Sequence, residues 1–480
     1  MSFTESDFLT ILPVIALSAG GILVMLLGLL LNRISRHVLL AVAVGSLAIT
    51  AGIIHRLWGS NFTAFGGMVT GDNFALVFTG MFILGALLSI LLAYNEHESQ
   101  YLLYSEFLTI TLFATVGMVL MASTTNLLIL FLGLETLSIS LYVLAALKRE
   151  DGKSLEAAFK YFLLGAFSSA FLLYGIAFVF GAGGSLDLAV ITTSTSLSNP
   201  FMLLGGILIL VGLGFKVAIF PFHMWVPDVY EGAPTPIAAF MSTGSKAAGF
   251  AAMLRVLFSS ANGTSPDWGT LFWILAVLTM FAGNIMALVQ KNVKRMLAYS
   301  SIAHAGYILI GITAWSELGA ASVVFYLLSY TFMNIGAFGV ISYLGRKDKE
   351  LLELDDLKGL AYQKPLLAVV MAVFMFSLAG LPPTGGFVGK FYVFSAAIKV
   401  GGSLVPLVIL GVINSMISVY YYLGVVVYMF MRDSDSVLGK GRVSPLVSVS
   451  LLVAVIGTLW LGINPSVAMT TFEQLVNGII

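Results

Sequence analysis

Seven ionisable side chains fall inside stretches too apolar to carry them without a use. Glu135 sits in LLILFLGLETLSISLYVLAAL, about nine residues into the run and so near its middle at ~1.5 Å per residue. Lys216 lies in GLGFKVAIFPFHMW just before Pro221, and Lys246 in AAFMSTGSKAAGFAAML among Ser, Gly and Ala. Lys390 follows the two prolines of LAGLPPTGGFVGKFYVF, and His304 is about one third into AYSSIAHAGYILIGI. Lys160 and Arg255 lie closer to the ends of their runs. A cation at mid-bilayer costs at least ~3 kcal/mol, so such groups turn inward, pair with one another and mark ion or proton paths. Low dielectric penalises the charged form of any acid or base, which brings proton exchange near neutral pH within reach. Lys, Glu and His together at that depth are the chemistry of a proton relay.

Each residue has a plainer reading. Lys160, near a helix start, is either a relay group or a cation that snorkels to the interface, and Arg255, near a helix end, is expected to snorkel. Depth disfavours snorkelling for Glu135, Lys216, Lys246 and Lys390. A buried His can be merely hydrogen-bonded in place, but an imidazole between charged helices is also a natural relay group, the role expected of His304. His223 is expected at the membrane edge, where capping and relay compete. Tyr299, Ser300, Ser301 and Tyr307 offer hydroxyls for proton transfer, though packing explains them as readily.

The elements that must hold these groups are membrane spans. Of 480 residues, 59% are hydrophobic and 10% charged, far below the quarter charged that a soluble domain carries; the solvent for most of this surface is lipid. Apolar runs long enough to span occur near 9–31, 38–58, 74–94, 106–122, 126–147, 157–181, 201–222, 235–258, 270–290, 296–314, 318–344, 365–397, 405–431 and 445–464. The fold class is therefore all-α and polytopic, with about fourteen transmembrane helices, and 465–480 is expected at the surface. Met1–Asp7 lacks the basic start of a signal peptide, so the first run is expected to be a retained span. With the N-terminus outside, the inside loops hold Arg33, Arg36, Lys148, Arg149, Lys153, Lys291, Lys294, Arg295, Arg346, Lys347, Lys349, Lys358, Lys364, Arg432, Lys440 and Arg442. The outside loops hold only Arg56 and Lys399, an asymmetry that fixes the orientation. Pro221 and the Pro382–Pro383 pair interrupt two runs in different halves of the chain; interrupted segments at corresponding places suggest a pair of inverted repeats.

Several functions are excluded. There is no cysteine, hence no disulfide, thiolate-held cluster or Cys-ligated zinc. Haem through His is not excluded by that count, but no His pair sits at matching depth in two spans, so no redox cofactor is expected. The 23 basic residues balance 23 acidic ones, so nothing points to nucleic acid. GGFVGK (385–390) is not a phosphate loop: Thr384 stands where the first Gly belongs and Phe391 replaces the Ser or Thr. Moving a charge against 150 mV costs about 3.5 kcal/mol, and with no nucleotide motif that energy must come from an ion gradient or a partner protein.

Three long blocks, GLGFKVAIFPFHMWVPDVYEGAPTPIAAFMSTGSKAAGFAAMLR (212–255), GNIMALVQKNVKRMLAYSSIAHAGY (283–307) and SLAGLPPTGGFVGKFYVF (377–394), resemble the proton-conducting membrane module shared by respiratory complex I, Mrp-type antiporters and membrane-bound hydrogenases. Within that family the PDVYEGAPTP loop and Lys246 are similar to the N branch of the bacterial NADH:quinone oxidoreductases; the L and M branches typically carry a His there. The resemblance implies a bacterial inner-membrane location with the N-terminus on the periplasmic side. It implies three N-terminal helices (1–104), a five-helix repeat (105–260), a second, inverted one (261–432) and a C-terminal helix with its tail (433–480). It also implies an ion pair between Glu135 and Lys216, Lys246 as the central lysine, His304 as a relay histidine and Lys390 as the exit-side lysine. The partners implied are the antiporter-like subunit M, small subunits such as K and J, and lipids. This chain would hold no cofactor; NADH, FMN, iron–sulfur clusters and quinone would be bound by partner subunits.

The mechanism expected on these grounds is a switch. Paired, Glu135 and Lys216 hold each other charged; at 4 Å and an effective dielectric of 20 the attraction is about 4 kcal/mol. A charge change in a neighbouring subunit draws Glu135 away, Lys216 gives its proton to the Lys246–His304 path, and Lys390 releases it. The rivals are a free-standing cation/proton antiporter, a non-conducting spacer and a direct quinone site for which no motif is visible.

Overall fold

The computed structural model describes residues 4–30, 35–94, 104–194, 199–259, 266–345, 352–433 and 444–476. Of the basic residues used for orientation, Arg33, Arg346, Lys347, Lys349, Lys440 and Arg442 lie outside the described residues. The chain runs α1 (Glu5–Leu30), α2 (Arg36–Leu57), a short antiparallel hairpin β1 (Phe62–Ala64) and β2 (Val69–Gly71), α3 (Asn73–Ala93), α4 (Tyr104–Ser123), α5 (Leu127–Ala145), α6 (Gly152–Gly183), α7 (Leu188–Ser194) and α8 (Pro200–Val217). It continues with α9 (Trp225–Gly232), α10 (Thr235–Phe240), α11 (Lys246–Ser259), α12 (Pro266–Leu288), α13 (Val293–Thr313), α14 (Glu317–Leu344), α15 (Leu360–Gln363), α16 (Pro365–Ala379), α17 (Gly385–Val400), α18 (Leu404–Met431), α19 (Pro445–Ile463) and α20 (Ser466–Val476). Among the described residues twelve helices are long and apolar enough to cross a membrane. The two remaining expected spans are present but interrupted, between α10 and α11 and between α16 and α17. The short 106–122 run is a span of its own, separated from α5 by an Asn126 cap that accepts from Leu128 and Ile129.

The interruptions follow from local backbone chemistry. α8 ends where Ala218 takes φ 63°, three residues before Pro221, and α16 ends where Gly380 takes φ 87°, before Pro382 and Pro383. A left-handed residue closes a helix, and a non-glycine there costs about 1 kcal/mol or more; Ala218 carries that strain two residues after Lys216. The eighth span holds a break that was not expected: Met241–Ser245 (MSTGS) forms a π-helical turn directly before Lys246. Such turns insert one residue into a helix and gather at functional sites.

Burial is graded from the centre outwards. All of the apolar window of α13 is buried, but only 28% of that of α1. α13 is also the least apolar of the twelve, since a helix surrounded by other helices has no need to please lipid. Two glycines set its crossing with α12. A Cβ on Gly283 of α12 would stand 2.4 Å from the Ala303 nitrogen, and one on Gly306 would stand 2.7 Å from the Met280 nitrogen, so α12 and α13 meet backbone to backbone. Gly249 lets α11 close on the side chains of α8, where a Cβ would come within 2.6 Å of Val217 Cγ1 and 3.5 Å of Lys216 Cγ. The C-terminal helix α20 buries Ala468, Met469, Phe472, Leu475 and Val476, packing on α14 and α3.

Candidate functional site

Lys216, Lys246, His304 and Lys390 are all buried, none more than 4% exposed. Each broken or distorted helix delivers one of the lysines: α8 at its C-terminal end, α11 just after the π-helical turn, and α17 just after the proline break. The Lys216 ammonium donates to Ser138 Oγ at 3.0 Å and Tyr161 OH at 3.3 Å, with its Nζ 5.7 Å from the Tyr161 ring centre. Hydrogen bonds to hydroxyls and a π face take over part of the solvation that water gave it.

Glu135 is not in contact with Lys216 here. Among the described residues no ion pair joins them; the Glu135 carboxylate instead accepts from Ser169 of α6. The expected pair is therefore open, and the physical reason is competition: Ser138, one turn along α5 from Glu135, occupies the ammonium, and Ser169 occupies the carboxylate. Glu135 is half-buried on the face of α5 that also exposes Leu132 and Ile139.

One face of α13 ties the remaining groups together. Ser301 accepts from the Lys246 ammonium through its main-chain oxygen and, at 3.0 Å, through Oγ. Three residues on, His304 Nδ1 lies 2.7 Å from Tyr326 OH and Nε2 lies 3.1 Å from Tyr422 OH, which in turn bonds Ser300. Three residues further, the Tyr307 ring lies under Lys390, 4.9 Å from Nζ to the ring centre. Neighbours at i and i+3 lie ~4.5 Å apart along the axis and each step swings ~60° back round the helix, so a gently winding row on α13 runs from Lys246 to Lys390. Tyr330 bridges the first step from the side, 5.9 Å from Lys246 Nζ and 5.0 Å from His304 between ring centres. A neutral imidazole donates from one nitrogen and accepts at the other, so the two tyrosine hydroxyls on His304 must point in the same sense. Transfer of one proton through the ring reverses both. The Ser245 hydroxyl lies near that of Tyr161 and the Tyr330 hydroxyl near that of Ser301, whereas buried Asn334 Oδ1 has no protein partner; buried polar atoms of this kind are where water binds.

Lys160 stands apart from this row. Its side chain is 42% exposed and pairs with Glu156 at 2.7 Å and Asp228 at 3.0 Å. Asp228 also binds Arg295 at 2.7 Å, and Glu231 binds Arg295 at 2.9 Å and Lys153 at 3.7 Å. Asp228 and Glu231, expected in a loop, lie on the short helix α9, and the cluster ties α6 to α13 through it at one end of the bundle. Lys294, expected in a loop, is buried in the first turn of α13 and donates to the Ala233 carbonyl at 2.8 Å. Arg255 does not snorkel. It is 2% exposed, bonded to Asp72 at 2.6 Å and to the Ala122 carbonyl at 2.6 Å, and lies over Phe74. Burial alone would push the Asp72 carboxyl up, but the Arg255 charge and hydrogen bond outweigh it and hold the group below its ordinary value of 3.8. His223 stacks on Phe220 with its buried Nδ1 unpartnered, so it caps nothing through that atom.

Sequence reasoning did not single out Ser138, Tyr161, Tyr326, Tyr422 or Ser415. Their hydroxyls sit in apolar runs like any packing residue, and only the fold shows which of them meet a lysine or the histidine.

A family described as NADH:quinone oxidoreductase/Mrp antiporter, transmembrane, matches residues 124–418. The chain is 47% identical to an NADH-quinone oxidoreductase subunit N of Trichlorobacter lovleyi, over 99% of this chain and 98% of that one. It is 44% identical to a subunit N of Herpetosiphon aurantiacus, over 92% and 91%. Among solved structures, a chain of respiratory complex I from Thermus thermophilus with bound aureothin is 37% identical, with TM-score 0.82 over 95% of this chain and 98% of that one. A chain of the Mrp complex from Dietzia, 20% identical, shares the fold with TM-score 0.88 over 99% of this chain and 98% of that one.

Proposed function

Because the chain belongs to the NADH:quinone oxidoreductase/Mrp antiporter transmembrane family, we propose that the α13 row is its proton path. It is a multi-pass, antiporter-like, proton-translocating membrane subunit of an NADH-quinone oxidoreductase, of the subunit N type, and sits in a multi-subunit membrane complex. The stand-alone antiporter is not favoured: the relatives that match nearly the whole chain at 44–47% identity are oxidoreductase subunits.

The finer reading is ours. Glu135 and Lys216 form the switch, Lys246 and His304 the central relay, and Lys390 the outlet. The single observation that carries it is the Ser301–His304–Tyr307 row, which puts Lys246 at one end and Lys390 at the other. The geometry here, with Glu135 on Ser169 and Lys216 on hydroxyls, corresponds to the switch in its separated state. Lys160 belongs to the Asp228–Glu231–Arg295 cluster at the inner end, where it attracts protons without passing them to the row. The chain carries no redox step; NADH, FMN, iron–sulfur clusters and quinone are bound by partner subunits. The half-buried Glu135 faces a neighbouring membrane subunit, in keeping with contacts to subunits M, K and J, and the N-terminus lies on the outer face of a bacterial inner membrane. The helices divide into 1–104, the repeats 105–260 and 261–432, and 433–480.

The test is to reconstitute the complete complex carrying Lys216→Ala or Glu135→Ala and to measure protons pumped per NADH oxidised. A lowered ratio with an assembled complex is expected. Native stoichiometry and rate in both variants would remove the switch.

A further inference from the structure

Lys390 is enclosed to an unusual degree. Its ammonium has three N–H donors and three acceptors: the Leu378 carbonyl at 3.1 Å, the Ala379 carbonyl at 2.9 Å and Ser415 Oγ at 2.9 Å. The two carbonyls lack a partner within the helix because α16 ends at Gly380; the Ala379 carbonyl also accepts from Ser415 Oγ at 3.4 Å. The Tyr307 ring covers a fourth side. Gly380 closes a fifth, since a Cβ there would lie 3.2 Å from Nζ. Main-chain carbonyls accept a hydrogen bond but carry no proton to hand on, and a π face has none. Of the groups that touch Nζ, the Ser415 hydroxyl is the one that can both accept a proton and release another. Ser415 is also half-buried, on the stretch of α18 that exposes Met416 and Ile413, whereas Lys390 itself is 4% exposed.

From this enclosure we infer that Ser415 is a relay residue, the hydroxyl through which Lys390 gives up its proton at the flank of α18. In the step one Nζ–H bond breaks and its proton forms an O–H bond at Ser415 Oγ. The proton that Ser415 already held, directed in this geometry at the Ala379 carbonyl 3.4 Å away, swings to a water molecule that reaches its oxygen. Lys390 is left a neutral amine, Ser415 is unchanged, and one proton has moved from nitrogen to water. The neutral amine has two donors for three acceptors and a lone pair facing oxygen, so its hold on this nest weakens. Its flexible stem then turns back towards Tyr307 and His304 to be recharged.

The inference rests on Lys390 being the outlet of the path proposed above, and the experiment separates the two. The complete complex is reconstituted with Ser415→Ala, Ser415→Thr or Lys390→Ala, and protons pumped per NADH oxidised are compared. Ser415→Ala is expected to lose pumping to the level of Lys390→Ala, and Ser415→Thr, which keeps the hydroxyl, to recover it. If Lys390→Ala loses pumping and Ser415→Ala keeps it, Ser415 is no relay residue and the outlet reading stands. If Lys390→Ala itself pumps normally, the outlet reading fails and this inference with it. Should Ser415→Ala not assemble, Ser415→Cys puts a lone thiol in a chain that has no cysteine, to be blocked by a small methylthiolating reagent after assembly. Pumping by the Ser415→Cys complex is expected to stop on blocking while the native complex, treated alike, keeps pumping. Native pumping after blocking, or a thiol the reagent cannot reach, overturns the inference.

Discussion

Replacing Asp72 by Asn isolates Arg255, the charge in the C-terminal half of the eighth span. Arg255 is 2% exposed and Asp72 21%, so the pair is buried on the arginine side and wetted on the other. Stripping the partner from a fully buried ion costs about 3–5 kcal/mol; the exposure of Asp72 puts the expected loss near the lower end, about 3 kcal/mol. The double variant Asp72→Asn/Arg255→Met removes the buried charge as well. It leaves only the Ala122 carbonyl without its donor, a cost of about 1 kcal/mol. The double variant should therefore be more stable than the single one by about 2 kcal/mol; with the Arg255→Met single, a mutant cycle gives the coupling between the two side chains. The assay is the temperature at which this subunit leaves the detergent-purified complex, measured for all four forms. The pH dependence has a definite sign. Asp72 is held below its ordinary value of 3.8, so its stabilisation is complete at neutral pH and fades as pH falls below 3.8 through the folded-state value. Asp72→Asn should cost most at pH 7 and progressively less in acid. A single variant within about 0.5 kcal/mol of native, or a double variant no better than the single, would refute the account of Arg255 as a buried, paired cation.

Three other perturbations follow from the packing and the relay. Gly283→Ala drives a Cβ to within 2.4 Å of the Ala303 nitrogen and should cost about 1–3 kcal/mol, read as lowered assembly of the complex; full assembly at native temperature would contradict the backbone-to-backbone crossing. Tyr326→Phe and Tyr422→Phe together take both hydroxyls from His304 and should depress pumping per NADH as far as His304→Ala does, because the ring then has nothing to exchange with. Asp228→Asn should leave pumping nearly intact and lower stability by at most about 1 kcal/mol, since its partners Lys160 and Arg295 are part-exposed and such pairs contribute little; loss of pumping would return Lys160 to the relay.

Much of this fold was legible because lipid imposes a coarse rule on sequence. The fourteen spans, the short one at 106–122 included, follow from apolar run length alone, and the breaks near Pro221 and Pro382 follow from proline chemistry. The π-helical turn before Lys246 was not legible. MSTGS reads as small-residue packing, and no local rule says that one extra residue is inserted there. Arg255 was misread for a related reason: position near a helix end suggests snorkelling, but the partner that overrides it, Asp72, is contributed by a distant cap on α3. The lysines and His304 stood out by type and depth. Ser138, Tyr161, Tyr422 and Ser415 did not, because a hydroxyl in a membrane helix usually bonds its own backbone, as Thr111 and Thr115 do here. The Glu135–Lys216 distance was beyond sequence altogether, since it depends on which of two competing hydroxyls wins each partner.

The most direct measurement is proton pumping per NADH oxidised by the reconstituted complex carrying Lys246→Arg. Arginine keeps the positive charge and the reach to Ser301, but it does not deprotonate in proteins. If the buried lysines work by exchanging protons, the assembled variant should lose pumping as completely as Lys246→Met does. If they serve only as fixed charges that hold helices together, Lys246→Arg will pump at the native ratio, and the relay account is wrong.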